Sequence, residues 1–180
     1  MKLITLCLLA VMIVTNHQLE FDFGSKKNGN DWNIINDGVM GGLSKGNIQF
    51  TNNSLKFSGD VSLENNGGFS SLKSPFHSFD LSSAKKVEIK YRSVGHGIAV
   101  TLENSRQFYR PYYKLYLKET QGKWETLKVD IDEFKEYRLG RSIGRSVSTE
   151  ILSSIRRIGF ITSDKKEGSF EIEVDYLKFE

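Results

Sequence analysis

The chain has 180 residues, 26% of them charged, with a formal net charge of +3 and one cysteine, Cys7. That length suits a single domain, which can bury most of the surface its unfolded chain would expose without needing a disulfide. Discounting Lys2 with the N-terminal segment lowers the balance from +3 to +2 (3 − 1), which removes the main support for nucleic-acid binding.

Lys2 precedes an apolar run, Leu3 to Val14, broken only by Thr5 and Cys7. The run is long enough for a signal-peptide core and short of the about 20 residues of a membrane span. Residues 1–18 are therefore expected to be a signal peptide cut between Thr15 and Leu19, leaving a mature domain over 19–180. The setting is then exported, periplasmic or extracellular; an uncleaved N-terminal anchor is the alternative.

Residues 31–45 combine Trp32, Asp31, Asp37 and Met40 with Gly38, Gly41 and Gly42. Glycines so placed reach positive φ or admit another chain closely, so the tract reads as a shaped loop. Asn36 and Asp37 are expected to fix that loop by side-chain-to-backbone hydrogen bonds, with Met40 packed beneath it. Trp32 is either a structural plug or a ligand-facing aromatic. A second glycine-centred tract, Phe57 to Phe69, carries Gly67 and Gly68.

Strand-like runs follow at Asn47–Phe50, Ser54–Phe57, Val61–Leu63, Lys86–Tyr91, Ile98–Leu102, Tyr113–Leu117 and Leu127–Ile131. Val87, Ile89 and Tyr91 alternate with charged residues, which buries one face and wets the other. Trp124, just before an alternating strand, is expected in the core. Ile131–Phe134 and Ser148–Ser153 can form single helical turns, the second with a Ser/Thr start. Ile155, Ile158 and Phe160 mark a late strand. In the last one, Phe170, Ile172 and Val174 change phase to Leu177 and Phe179, which predicts a β-bulge near Asp175 and Tyr176. Short runs without long amphipathic helices predict an all-β, antiparallel β-sandwich.

Chemistry-bearing motifs are sparse. There is no phosphate-loop Gly-Lys-Ser and no Cys-His pair, and His17, His77 and His96 are widely separated. Asp31, Asp37 and Glu64 offer acid/base groups for glycoside hydrolysis only if they meet across loops. No cofactor is expected; structural calcium is a candidate without an assigned site. Phe108, Tyr109, Tyr112, Tyr113 and Tyr116 surround Arg110 and Pro111, and alternation sends Tyr113 one way and Tyr112 and Tyr116 the other. Tyr112 and Tyr116 are therefore the candidate binding residues, with Trp32. Arg138, Arg141, Arg145, Arg156 and Arg157 face only Glu150, a bias open to an acidic partner or a transient contact with a lipid surface, or to solvated strand edges.

The strings Trp32 to Ser44 and Phe57 to Phe69, with Gly122-Lys123-Trp124, Ile131 to Phe134, Ile158-Gly159-Phe160 and Phe170-Glu171-Ile172, resemble the complex I intermediate-associated protein family. The resemblance implies a galactose-binding-like jelly roll related to some carbohydrate-binding modules. It implies a non-enzymatic binding or assembly role, with a protein or protein complex as the first expected partner and a glycan or small ligand as the alternative. At Gly95-His96-Gly97 the chain departs from the family's glycine turn, whose middle residue is acidic.

Overall fold

Alternating apolar residues make strands here because each strand buries one face against a second sheet. The computed structural model describes residues 18–162 and 164–180, so the apolar run Leu3–Val14 lies outside the described residues. In chain order the strands are β1 (Leu19–Asp22), β2 (Asn33–Asn36), β3 (Lys45–Phe50), β4 (Leu55–Val61), β5 (Ser70–Lys73), β6 (Lys86–Val94) and β7 (Ile98–Glu103). They continue as β8 (Tyr112–Leu117), β9 (Glu125–Asp130), β10 (Lys135–Arg138), β11 (Arg141–Ser146), β12 (Arg157–Thr162) and β13 (Gly168–Phe179). One six-stranded sheet runs β3-β4-β13-β6-β9, with β1 also on β13; the other, seven-stranded, runs β11-β10-β8-β7-β12-β5-β2. Every pairing is antiparallel, so the molecule is an all-β sandwich of the jelly-roll kind.

The inner faces carry the alternating residues: Val87, Ile89 and Tyr91 from β6 meet Ile98, Val100 and Leu102 from β7 in one apolar cluster. Each such side chain contributes about 1.5–3 kcal/mol before entropy is charged against it. In β13, Val174 pairs with Tyr91 and Tyr176 with Lys90, so Asp175 is the extra residue of a bulge. The bulge returns Leu177 and Phe179 to the core after Phe170, Ile172 and Val174. The short helix α1 (Thr149–Leu152) starts where Ser148 Oγ accepts the Ile151 N–H at 3.3 Å. A 3-10 turn at Ile131–Glu133 ends β9.

Several expectations are corrected. The tract 31–45 is only partly loop: Asn33–Asn36 form an edge strand and Asp37–Met40 a 3-10 turn. Val61–Leu63 is no separate strand, because β4 ends at Val61 and Leu63 is exposed. Trp124 is 41% exposed: its ring lies under the Arg92 guanidinium, 5.2 Å from its centroid, and near Lys90 at 5.8 Å. Met40 is 64% exposed, because the turn ending at Gly41 (φ 89°) points it to solvent. Trp32 is core: its indole packs edge-on against Phe21 and Phe23 at 5.4 and 5.2 Å and close to Phe160 at 5.8 Å, so it cannot present a ligand face.

Candidate binding face

The glycine tracts converge on one carboxylate. Asp37 is fully buried, and Oδ1 accepts the Ser44 N–H at 3.0 Å. Oδ2 accepts the Ser44 hydroxyl at 2.5 Å and the Gly68 and Phe69 N–H groups at 2.6 and 3.2 Å. Burial pushes the Asp37 pKa up, but these bonds outweigh it and hold the carboxyl below its ordinary range. A Cβ on Gly42 would sit 2.4 Å from Asp37 Cγ, and one on Gly67 2.7 Å from Oδ2, so both glycines make room for the carboxylate. The clamp joins the segment leading into β3 of one sheet to that leading into β5 of the other. Asn36 Oδ1 adds a bond from Ser70 Oγ at 2.7 Å. Gly38 and Gly41 face open space. Asp31 and Glu64 stay exposed, whereas both oxygens of Asp37 are taken up inside the clamp.

The outer face of the seven-stranded sheet has a different composition. Register places Tyr112, Lys114 and Tyr116 of β8 opposite Glu103, Thr101 and Ala99 of β7, and Tyr112 also opposite Tyr137 of β10. Beyond β7, Gly159 pairs with Thr101 and Lys73, and Ile161 with Ala99 and Ser71. Small residues, Ala99, Thr101, Gly159 and Ser71, thus line a floor flanked by longer side chains. They are buried although they point away from the core. A Cβ on Gly159 would lie 2.5 Å from the Leu72 carbonyl oxygen, so this floor position requires glycine. Thr101 Oγ1 is buried and, among the described residues, has no hydrogen-bond partner. Such a group costs about 1–3 kcal/mol and calls for an explanation.

Lys114 is the centre of this face. Its side chain is 2% exposed, and Nζ lies 4.7, 5.4 and 5.6 Å from the ring centroids of Tyr137, Tyr112 and Tyr116. The rings offer their negative faces to the ammonium. Burial lowers the Lys114 pKa to about 8, with Lys73 adding to the shift, and burial raises that of Tyr112 to about 12. Tyr116 is 44% exposed and Tyr112 and Tyr137 half-buried, while Tyr113 points into the core. Lys73 pairs with Glu103 on the same face, and Arg157 and Arg106 both stack on Phe76 at 4.3 and 4.6 Å. Alternation had set Tyr112, Lys114 and Tyr116 on one side of β8 and Tyr113 on the other, but Tyr137 joined the group only through the β8–β10 pairing, which no single strand announces.

The opposite sheet holds a depression of about 790 Å³ where β13 exchanges β4 for β1, lined by Trp124, Arg92, Lys90 and Asp175 among others. Its charges are matched: Lys90 bonds Asp175 at 2.8 Å, and Arg92 bonds Glu173 at 2.5 Å. His96 closes the Gly95–Gly97 turn inside the fold, with Nδ1 3.0 Å from Asp164 Oδ1 and the Gly97 N–H on Oδ2 at 3.0 Å. Among the described residues, no group of three or more His, Cys, Asp or Glu side chains is placed to hold a metal, so no residues are assigned to calcium.

The fold is shared with solved carbohydrate-binding domains. A family 11 carbohydrate-binding module from Clostridium thermocellum, solved with a β-1,3-1,4-mixed-linked tetrasaccharide, matches with a TM-score of 0.63 at 18% identity, over 90% of this chain and 94% of that one. The family 11 module of the C. thermocellum cellulosomal cellulase Lic26A-Cel5E matches at 0.64 and 16%, over 89% and 94%. The agarase AgWH50C matches at 0.56 and 11%, over 91% of this chain and 24% of that one. In sequence, residues 21–174 match the family described as Complex I intermediate-associated protein 30 (CIA30). With the Asp37 clamp and the jelly roll in place across that span, the chain belongs to the complex I intermediate-associated protein 30 family.

Proposed function

We propose that this protein is a non-catalytic binding domain that takes a glycan on the outer face of the seven-stranded sheet. The observation that carries the reading is the group of Tyr112, Tyr116 and Tyr137 around the buried Lys114 ammonium. A pyranose presents a C–H face that suits an aromatic ring and a rim of hydroxyls that suits fixed donors and acceptors. The orphan Thr101 hydroxyl and the Lys73–Glu103 pair supply polar groups along the same floor. Hydrolysis would need two carboxyl groups set across a bond, one of them able to hold a proton. Asp37 is locked by its four donors, and Glu103 is engaged by Lys73. Titration of the full chain against a glycan panel tests this, with the β-1,3-1,4-mixed-linked tetrasaccharide as first probe and mass analysis for products. Reversible binding with no product is expected; release of shorter saccharides, or silence across the panel, would overturn it.

A protein partner is the second reading, favoured by Val39, Met40 and Leu43, exposed apolar side chains on the loop that Asp37 rigidifies. A photoreactive residue at Met40 should then cross-link to one defined protein in the native fraction, and a ladder of unrelated products would count against it. The apolar run Leu3–Val14 supports an exported setting. Intact-mass measurement of the native product should give a chain shortened near residue 18, and a full-length cytosolic chain would contradict it.

A further inference from the structure

Two neighbouring turns at one corner of the seven-stranded sheet have a composition that neither core nor glycan face accounts for. The segment 104–111 and the hairpin 137–146 together contain five arginines, Arg106, Arg110, Arg138, Arg141 and Arg145, and no aspartate or glutamate. They adjoin: the Arg138 Nε–H donates to the Tyr109 carbonyl at 3.3 Å, and the strands beneath pair at Tyr112 and Tyr137. Arg106 is held on Phe76 and Arg145 on Glu136. Arg110, Arg138 and Arg141 keep exposed positions at the corner.

Apolar side chains stand out among these charges. Phe108 is 83% exposed at the tip of the first turn, and Leu139 60% exposed at the tip of the hairpin, with Ile143 and Tyr109 beside them. Leu139 has φ 48° and Gly140 φ 76°, the left-handed pair of a tight hairpin turn. Asparagine, aspartate or glycine suits the first of these positions, whereas a leucine there is both strained and exposed. Water gives no reason for that choice; an apolar layer outside the protein does.

We propose that this corner docks on an anionic phospholipid surface. Phe108, Leu139 and Ile143 enter the headgroup and upper acyl region while Arg110, Arg138 and Arg141 meet lipid phosphates. Phe108 and Leu139 stand on two separate turns, which suits a deformable layer better than the face of a folded acidic protein.

The test uses the full chain with Cys7→Ser and Phe108→Cys, an environment-sensitive fluorophore on position 108, and vesicles of phosphatidylcholine with or without phosphatidylglycerol. The probe reads burial of the corner itself, whatever the N-terminal segment does. Emission should shift to the blue only with the anionic vesicles, and high salt should reverse the shift. Arg138→Gln with Arg141→Gln should weaken vesicle binding about thirtyfold, from about fivefold per arginine near an anionic surface. Leu139→Asn should weaken vesicle binding and raise the melting temperature, a combination that damage to the fold cannot produce. No shift with anionic vesicles, an equal shift with zwitterionic ones, or a shift given by soluble polyglutamate and not by vesicles would overturn the proposal, the last in favour of an acidic protein surface.

Discussion

The two sheets bury similar inner faces, yet their outer faces differ in what holds their charges. On the six-stranded sheet, opposite charges match across neighbouring strands: Lys56 with Glu171, Arg92 with Glu173, Lys90 with Asp175, Lys128 with Glu88 and Lys86 with Asp130. Such a ladder is complete in water and asks for no ligand. On the seven-stranded sheet, a lysine is desolvated among tyrosines and a threonine hydroxyl has no partner among the described residues. The depression of about 790 Å³ lies on the charge-matched face. The difference teaches that a desolvated lysine among part-exposed rings, with the buried Thr101 hydroxyl on the same floor, sets this face apart from one whose charges are matched in pairs.

The comparison breaks most severely if the sheets come apart. Asp37→Asn keeps the size of the side chain but replaces a charged acceptor with an amide, and should lower unfolding free energy by about 3 kcal/mol in denaturant titration. Because the Asp37 pKa is lowered in the folded state, its contribution is present above the unfolded value and is lost as pH falls through the folded value. The variant should therefore lose part of the native protein's acid sensitivity below about pH 4.

Lys114 gives the next effect. Its folded pKa of about 8 lies below the ordinary 10.5, so the folded state releases a proton that the unfolded chain keeps. Stability should rise by about 2 kcal/mol between pH 8 and pH 10, measured by denaturant titration across that window. Lys114→Met should abolish this rise. Above pH 10 the gain should reverse, since burial raises the Tyr112 pKa to about 12 and the folded state resists its ionisation. On the charge-matched face, Lys86→Ala removes half of an exposed pair with Asp130 and should change stability by less than about 0.5 kcal/mol.

Much of the fold was legible because strand alternation is local. Val87, Ile89 and Tyr91 gave β6, and the phase change from Val174 to Leu177 gave the bulge that the β13–β6 register contains. The short strands β2 and β5 were not legible, because Asn33–Asn36 and Ser70–Lys73 carry little apolar alternation and owe their place to partners distant in sequence, β12 for β5 and β5 for β2. Asp37 was readable as a loop anchor from its Asn-Asp-Gly setting, while its partners Gly68 and Phe69 lie over thirty residues away. Trp124 misled because an indole before a strand reads as core, and only the tertiary placement of Lys90 and Arg92 shows what keeps it at the surface. Tyr116 and Lys114 have the same parity in β8, but whether that parity faced water or a second layer depended on the sheet order.

The most direct measurement compares glycan affinity, by calorimetry, for the full chain and for Tyr116→Ala, Tyr112→Ala and Trp124→Ala, using a saccharide that the native protein binds. The two tyrosine variants should each lose about tenfold or more, roughly 1.4 kcal/mol, with folding retained, and Trp124→Ala should bind as the native chain does. Loss of binding in Trp124→Ala with both tyrosine variants unaffected would place the ligand on the six-stranded sheet and contradict the assignment of the binding face.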